Sequence, residues 1–134
     1  NGYYDLTKKE IVVDSNLPEK HSLKTLVHEL AHSLIHDTDI PDAPRDSQTR
    51  EVQAESIAYV VCQYFGMDVS DYSFGYIAGW STGKDTKELK ESLEIIRDTS
   101  NDIISKTEQT LTQMQSVEQT VSETIQPKRR GRCM

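Results

Sequence analysis

The sequence predicts an α+β fold: a mainly helical domain with a small N-terminal antiparallel β-hairpin and a long C-terminal helix. Three observations predict it. β-Branched and aromatic residues flank a polar turn within residues 2–13. Apolar residues then recur at helical spacing in two segments, Leu23 to Leu34 and Val52 to Phe65. A third helical pattern starts near Lys87 and runs toward the C-terminus.

The elements follow in order. In GYYDLTKKEIVV, Tyr3 and Tyr4 precede a polar turn at Thr7 to Lys9, and Ile11, Val12 and Val13 follow. Asp14 to Lys20 is a turn containing Pro18. A helix begins near Ser22, with Pro18 as an earlier start, and Leu23, Leu26, Val27, Leu30 and Leu34 carry it to about His36. Asp37 to Ser47 holds two prolines and four aspartates and reads as a loop. A second helix spans about Thr49 to Phe65, with Gly66 as its stop. A short segment, DYSFGYIAGW, leads to a polar break at Ser81 to Asp85. Leu89, Leu93, Ile96 and Ile103 then define the long helix. Beyond Ser105 the chain turns Thr- and Gln-rich, and Leu111, Met114, Val117, Val121 and Ile125 space the apolar positions more thinly. The expected organisation is one domain over 1–105, a helical or frayed extension over 106–126 and a basic, disordered tail over 127–134.

Composition sets the bounds. The 134 residues suffice for one domain with a modest core. The chain starts at Asn1, not Met, which reads as a segment of a longer protein. A mean hydropathy of -0.63 fits a chain that is packed only in part. A net charge of -7 and a pI near 5.0 make the general surface a poor match for nucleic acid. No run of 18 apolar residues is present to cross a membrane. Cys62 and Cys133 lie far apart, in an apolar helix pattern and a basic tail. They imply no disulfide framework, and a reducing, cytoplasmic compartment fits them.

One stretch asks for an explanation. TLVHELAHSLIH places His28, Glu29 and His32 inside an apolar run. Burying three such groups without partners costs several kcal/mol. Either the face is wet, as a pair of surface histidines would be, or something holds the groups. Residues four apart on a helix lie about 40° apart around its axis, so His28 and His32 present two imidazoles to one point. That is the bite of a tetrahedral Zn2+, one per chain. Glu29 is offset by about 100° from His28 and about 60° from His32. It flanks the metal, where a general base for a metal-bound water belongs. The pattern is H-E-x-x-H.

The third ligand is not a further histidine, because Ile35 and Thr38 occupy the places of the glycine and histidine in the extended motif. His36 reads as a surface residue or a helix C-terminal cation. The next helix offers Glu51 and Glu55 on one face. Either both face solvent, or one binds metal and the other orients a metal-bound histidine. Cys62 is about 10 Å along the axis from Glu55, too far to share the metal, and reads as a small buried apolar residue. Tyr76 and Trp80 read as packing, or Tyr76 or Tyr72 reaches the site to hydrogen-bond an oxyanion.

H-E-x-x-H followed by E-x-x-A-(N/D/E) on the next helix resembles the gluzincin pattern of ImmA/IrrE-type metallopeptidases. That resemblance implies a zincin-like metallopeptidase domain with Glu51 as third ligand and Glu55 hydrogen-bonding a ligating histidine. Position 55 is Glu where those families often carry Asn or Asp, which leaves the two roles open to exchange. The chain also resembles the C-terminal domain of ArdC-type antirestriction proteins over about residues 2–105, through Tyr3, Tyr4, Ile11, Val12, HELAH, EVQAES and GYIAGW. In that family a single-stranded-DNA-binding domain precedes the metallopeptidase domain, so DNA becomes a partner of the longer protein.

Two function classes follow. As a zinc endopeptidase, the domain holds metal with His28, His32 and Glu51, uses Glu29 as base, and cuts a protein or peptide that could pair with the strand Glu10 to Val13. As a binding or antirestriction module, it holds metal for stability and contacts DNA or a DNA-handling protein. In that case the loop aspartates Asp37, Asp39, Asp42 and Asp46 either mimic DNA or are simply solvated. Three protein ligands and an intact Glu29 favour the enzyme, since a structural zinc usually closes its shell with four.

Overall fold

The computed structural model describes residues 2–41, 43–44, 46–69 and 79–132. Its elements run β1 (Gly2–Asp5), β2 (Glu10–Val13), α1 (Glu19–Ile35), α2 (Ser47–Tyr64) and α3 (Thr86–Arg132). The fold is α+β, as the sequence predicts.

β1 and β2 pair antiparallel, with Tyr3 opposite Val12 and Tyr4 opposite Ile11. The Asp5 carboxylate shapes the turn by accepting from the backbone N–H of Thr7 at 2.9 Å and of Lys8 at 3.0 Å. Lys9 closes the turn in the left-handed region, φ 57°, a conformation that costs a side-chain-bearing residue roughly 1–2 kcal/mol. Its ammonium is anchored on Asp37 at 2.5 Å, and Tyr4 donates to the other Asp37 oxygen at 2.6 Å. The hairpin is thereby tied to the chain just past α1. A Cβ on Gly2 would meet the Thr25 methyl at 2.6 Å, so β1 lies directly against α1.

α1 takes the earlier of its two starts. Pro18, with φ -54°, presets the first turn, which closes through Ser22 N–H to Pro18 C=O at 2.9 Å. α2 begins two residues before the expected Thr49, because the Asp46 side chain caps it, accepting from Gln48 N–H at 3.1 Å. It ends as expected at Gly66. With φ 81°, Gly66 lets Met67 N–H reach Cys62 C=O and Gly66 N–H reach Gln63 C=O.

The core gathers around α2. Val52, Ala54, Ile57, Ala58, Val61 and Cys62 are buried there, with Ala31 from α1, Val69 and Trp80. α1 packs on α2 and on both strands. It does so with an unexpected face: Leu23, Leu26 and Leu34 remain 40%, 42% and 39% exposed, while Lys24, Glu29 and Ala31 are buried. The polar stripe Lys24–His28 faces α2, because α2 supplies carboxylates to meet it.

The chain divides into two compact units, Asn1–Asn101 and Asp102–Met134. The second is helical through Arg132; the sequence leaves residues 106–126 as a helical or frayed extension and expects a disordered tail after them. Its hydroxyls satisfy themselves: Thr110, Thr112, Ser116 and Thr120 each donate to the carbonyl four residues earlier. Leu111, Met114, Val117 and Val121 stay exposed along it. Among the described residues no helix is long and apolar enough to cross a membrane.

Candidate metal centre

His28 and His32 come from successive turns of α1, and Glu51 comes from the first turns of α2. Packing of the two helices brings their side chains to one point. The His28 and His32 Nε2 atoms are 3.1 Å apart, and each lies 3.1 Å from a Glu51 oxygen. A tetrahedral ion with ligand bonds of roughly 2.0–2.1 Å requires donor atoms roughly 3.3 Å apart. The two imidazole nitrogens are thus near that spacing, and Glu51 brings one oxygen against each of them, with one ligand atom from each of the three residues within 4.8 Å of the others. Their chemistry also fits a borderline divalent metal: two imidazoles and one carboxylate. Among the described residues this is the group of histidine, cysteine and acidic side chains compact enough to hold an ion.

The two glutamates of α2 are placed differently. The Glu51 side chain is 46% exposed and Glu55 is 7% exposed. Glu55 lies behind the site. One oxygen accepts from His28 Nδ1 at 2.8 Å, and the other accepts from Lys24 Nζ at 2.8 Å. A carboxylate can only accept, so Nδ1 of His28 carries a hydrogen, and the ring's other nitrogen points at Glu51 and His32. Burial would lower the His28 pKa, but the bonds to Glu51 and Glu55 outweigh it and raise the pKa to about 9. Hydrogen bonds from His28 and His32 hold the Glu51 carboxyl well below its ordinary range. Burial pushes Glu55 up, and the bonds from His28 and Lys24 more than reverse it.

His32 is backed by different groups. Its Nδ1 lies 2.8 Å from Nδ1 of His36, and Nε2 of His36 lies 2.7 Å from the Gln53 amide oxygen. The Gln53 amide nitrogen donates to Ser92 Oγ at 3.1 Å. Burial is the main cause that brings the His36 pKa down to about 4, aided by the charges of His32 and Arg50. His36 is therefore a neutral, half-buried partner, not the surface residue or helix-end cation that its position suggested.

Glu29, next to His28, is buried. Trp80 is buried too, its indole N–H donating to Thr49 Oγ1 at 2.9 Å, which is a packing role. Tyr72 and Tyr76, the candidates for oxyanion contact, lie outside the described residues. The acidic loop is solvated in part, with the Asp39 side chain 81% exposed, while two of its aspartates are engaged. Asp37 is buried under Lys9 and Tyr4, and Asp46 caps α2 and bonds Lys84 at 3.2 Å. Lys24, Gln53 and Ser92 were not singled out in the sequence. Lys24 had a signal, since it precedes His28 by one turn on the same face. Ser92 had none.

Two helices crossing with an H-E-x-x-H pair against a glutamate define a metallopeptidase-like domain. The chain belongs to the peptidase family described as the IrrE N-terminal-like domain, whose pattern matches residues 2–71. Peptidases of this family typically depend on a metal and act on proteins. An uncharacterized protein of Bacillus anthracis, pXO2-81, is 30% identical over 112 residues, which cover 83% of this chain and 19% of that protein. The chain thus spans about a fifth of the length of that relative. No solved structure matches.

Proposed function

We propose that this domain is a zinc-dependent endopeptidase in which His28, His32 and Glu51 hold the metal and Glu29 is the general base. The observation that carries the reading is the convergence of two imidazole Nε2 atoms, 3.1 Å apart, on an exposed carboxylate whose two oxygens each lie 3.1 Å from one of them. Three protein ligands leave a fourth position open, as catalytic zinc sites do. When bound, the ion supplies a Lewis acid that acidifies a water and polarises a peptide carbonyl. Glu29 takes the proton of the attacking water and returns it to the leaving amine. Glu55, itself neutralised by Lys24, keeps the His28 ring turned so that Nε2 faces the ion. The substrate is an extended protein segment, for which the backbone of β2 offers strand pairing.

The resemblance to ArdC-type antirestriction proteins extends this to a cytoplasmic role on a mobile element, with DNA contacted by another part of the longer protein. The internal use of Asp37 and Asp46 speaks against the loop acting as a DNA mimic.

The test is Glu29→Gln beside wild type, each assayed for zinc by elemental analysis and for cleavage of an unfolded protein such as casein. The proposal expects about one zinc per chain in both and cleavage in wild type alone. Equal cleavage by Glu29→Gln would overturn the assignment of the base. Bound zinc with no cleavage by wild type would favour a metal-stabilised binding module.

A further inference from the structure

Resting on the zinc site proposed above, we infer that His36 and Gln53, seated on Ser92, form a hydrogen-bonded chain that fixes the His32 tautomer and presents its Nε2 lone pair to the metal. They are positioning residues: none of them contacts the ion.

The argument is one of donors and acceptors. Two imidazole Nδ1 atoms at 2.8 Å can bond only if one carries a hydrogen and the other does not. The chain therefore has two polarities. In one, His36 holds its hydrogen on Nδ1, His32 accepts it, and Nε2 of His32 must carry a hydrogen that blocks ligation. In the other, His32 donates from Nδ1, His36 accepts, and Nε2 of His32 is bare. Without an ion, the Glu51 oxygen 3.1 Å from Nε2 of His32 favours the first; once an ion takes that carboxylate and the Nε2 lone pair, Gln53 favours the second. Its amide oxygen faces Nε2 of His36 at 2.7 Å, and an oxygen requires a donor there. In that orientation its amide nitrogen donates to Ser92 Oγ at 3.1 Å. Gln53 is 1% exposed, so water offers no ready substitute. An imidazole on His32 also differs from the ion-paired Glu55 on His28, so the two metal-facing rings are held by unlike groups.

The test uses the full chain and two readouts. The first is zinc affinity, by competition with a chromophoric chelator, for wild type, His36→Leu and His36→Asn. Leucine keeps bulk and removes the acceptor, and asparagine restores an acceptor near the place of Nδ1. His36→Leu should bind zinc about ten- to a hundredfold more weakly, and His36→Asn should recover most of the loss. The second is long-range 1H–15N NMR of the zinc-loaded wild type, which should show His36 with its hydrogen on Nε2 and His32 with its hydrogen on Nδ1. The NMR result stands even if a variant fails to fold. His36 found with its hydrogen on Nδ1, or His36→Leu binding as tightly as wild type, would overturn the inference while leaving the zinc site intact. Equal weakening in His36→Leu and His36→Asn would reduce His36 to packing. No zinc in wild type would overturn both the inference and the reading beneath it.

Discussion

The two histidines of one motif, a single turn apart on α1, are held in opposite ways. His28 leans on a buried carboxylate that is paired with a buried ammonium. His32 leans on a neutral imidazole that is bonded to a neutral amide. Both arrangements leave Nε2 facing Glu51. The difference teaches that a short motif specifies donor atoms, while their orientation is supplied by whatever the packed neighbours offer. It also predicts that the His28 side is the more costly to break, since a charge stranded in a protein interior costs more than an unmatched amide.

The largest effect is therefore expected at Lys24. Lys24→Met leaves the buried Glu55 carboxylate with His28 as its remaining partner and should lower stability by about 2–3 kcal/mol, read from urea unfolding. Adding Glu55→Gln removes the stranded charge and keeps an oxygen for His28, so the double variant should recover most of the loss. If Lys24→Met alone is neutral, the charged side of the comparison is wrong. On the neutral side, Gln53→Leu should cost less, about 1–2 kcal/mol, the price of leaving His36 Nε2 without an acceptor. A loss equal to that of Lys24→Met would erase the distinction.

A third experiment separates the site from the hairpin anchor. Bonds from Lys9 and Tyr4 hold the Asp37 carboxyl well below its ordinary value of 3.8. A depressed carboxylate contributes stability that is complete above its unfolded value and is lost as pH falls through its folded value. The deficit of Asp37→Asn against wild type should thus be full at pH 7 and shrink below about pH 4. A deficit that grows on acidification would contradict the pairing. The smallest effect is expected on the second unit, where Val117 is 63% exposed. Val117→Thr should change the melting free energy by less than about 0.5 kcal/mol.

Much of this was legible in the sequence, and the reasons are local. Tyr3, Tyr4 and Ile11 to Val13 around a polar turn announce the hairpin, and Gly66 announces the end of α2. The convergence of His28 and His32 follows from helix geometry alone. What was illegible depends on chain segments far apart. Spacing put Glu51 and Glu55 on one face and could not rank them; packing leaves one at the surface and seals the other behind His28. Lys24 meets Glu55 across 31 positions, and Gln53 meets Ser92 across 39. No periodicity carries such pairs. The leucines of α1 misled for the same reason: apolar spacing marks an inward face only when the neighbouring helix has no carboxylates to offer the polar one.

The account turns on the division of labour between the two glutamates, and one measurement addresses it most directly. Zinc content and affinity are determined for Glu51→Ala and Glu55→Ala beside wild type, by elemental analysis and chelator competition. Wild type should hold about one zinc per chain. Glu51→Ala should lose stoichiometric zinc, and Glu55→Ala should keep it with affinity weakened about ten- to a hundredfold. Zinc retained by Glu51→Ala and lost by Glu55→Ala would contradict the account.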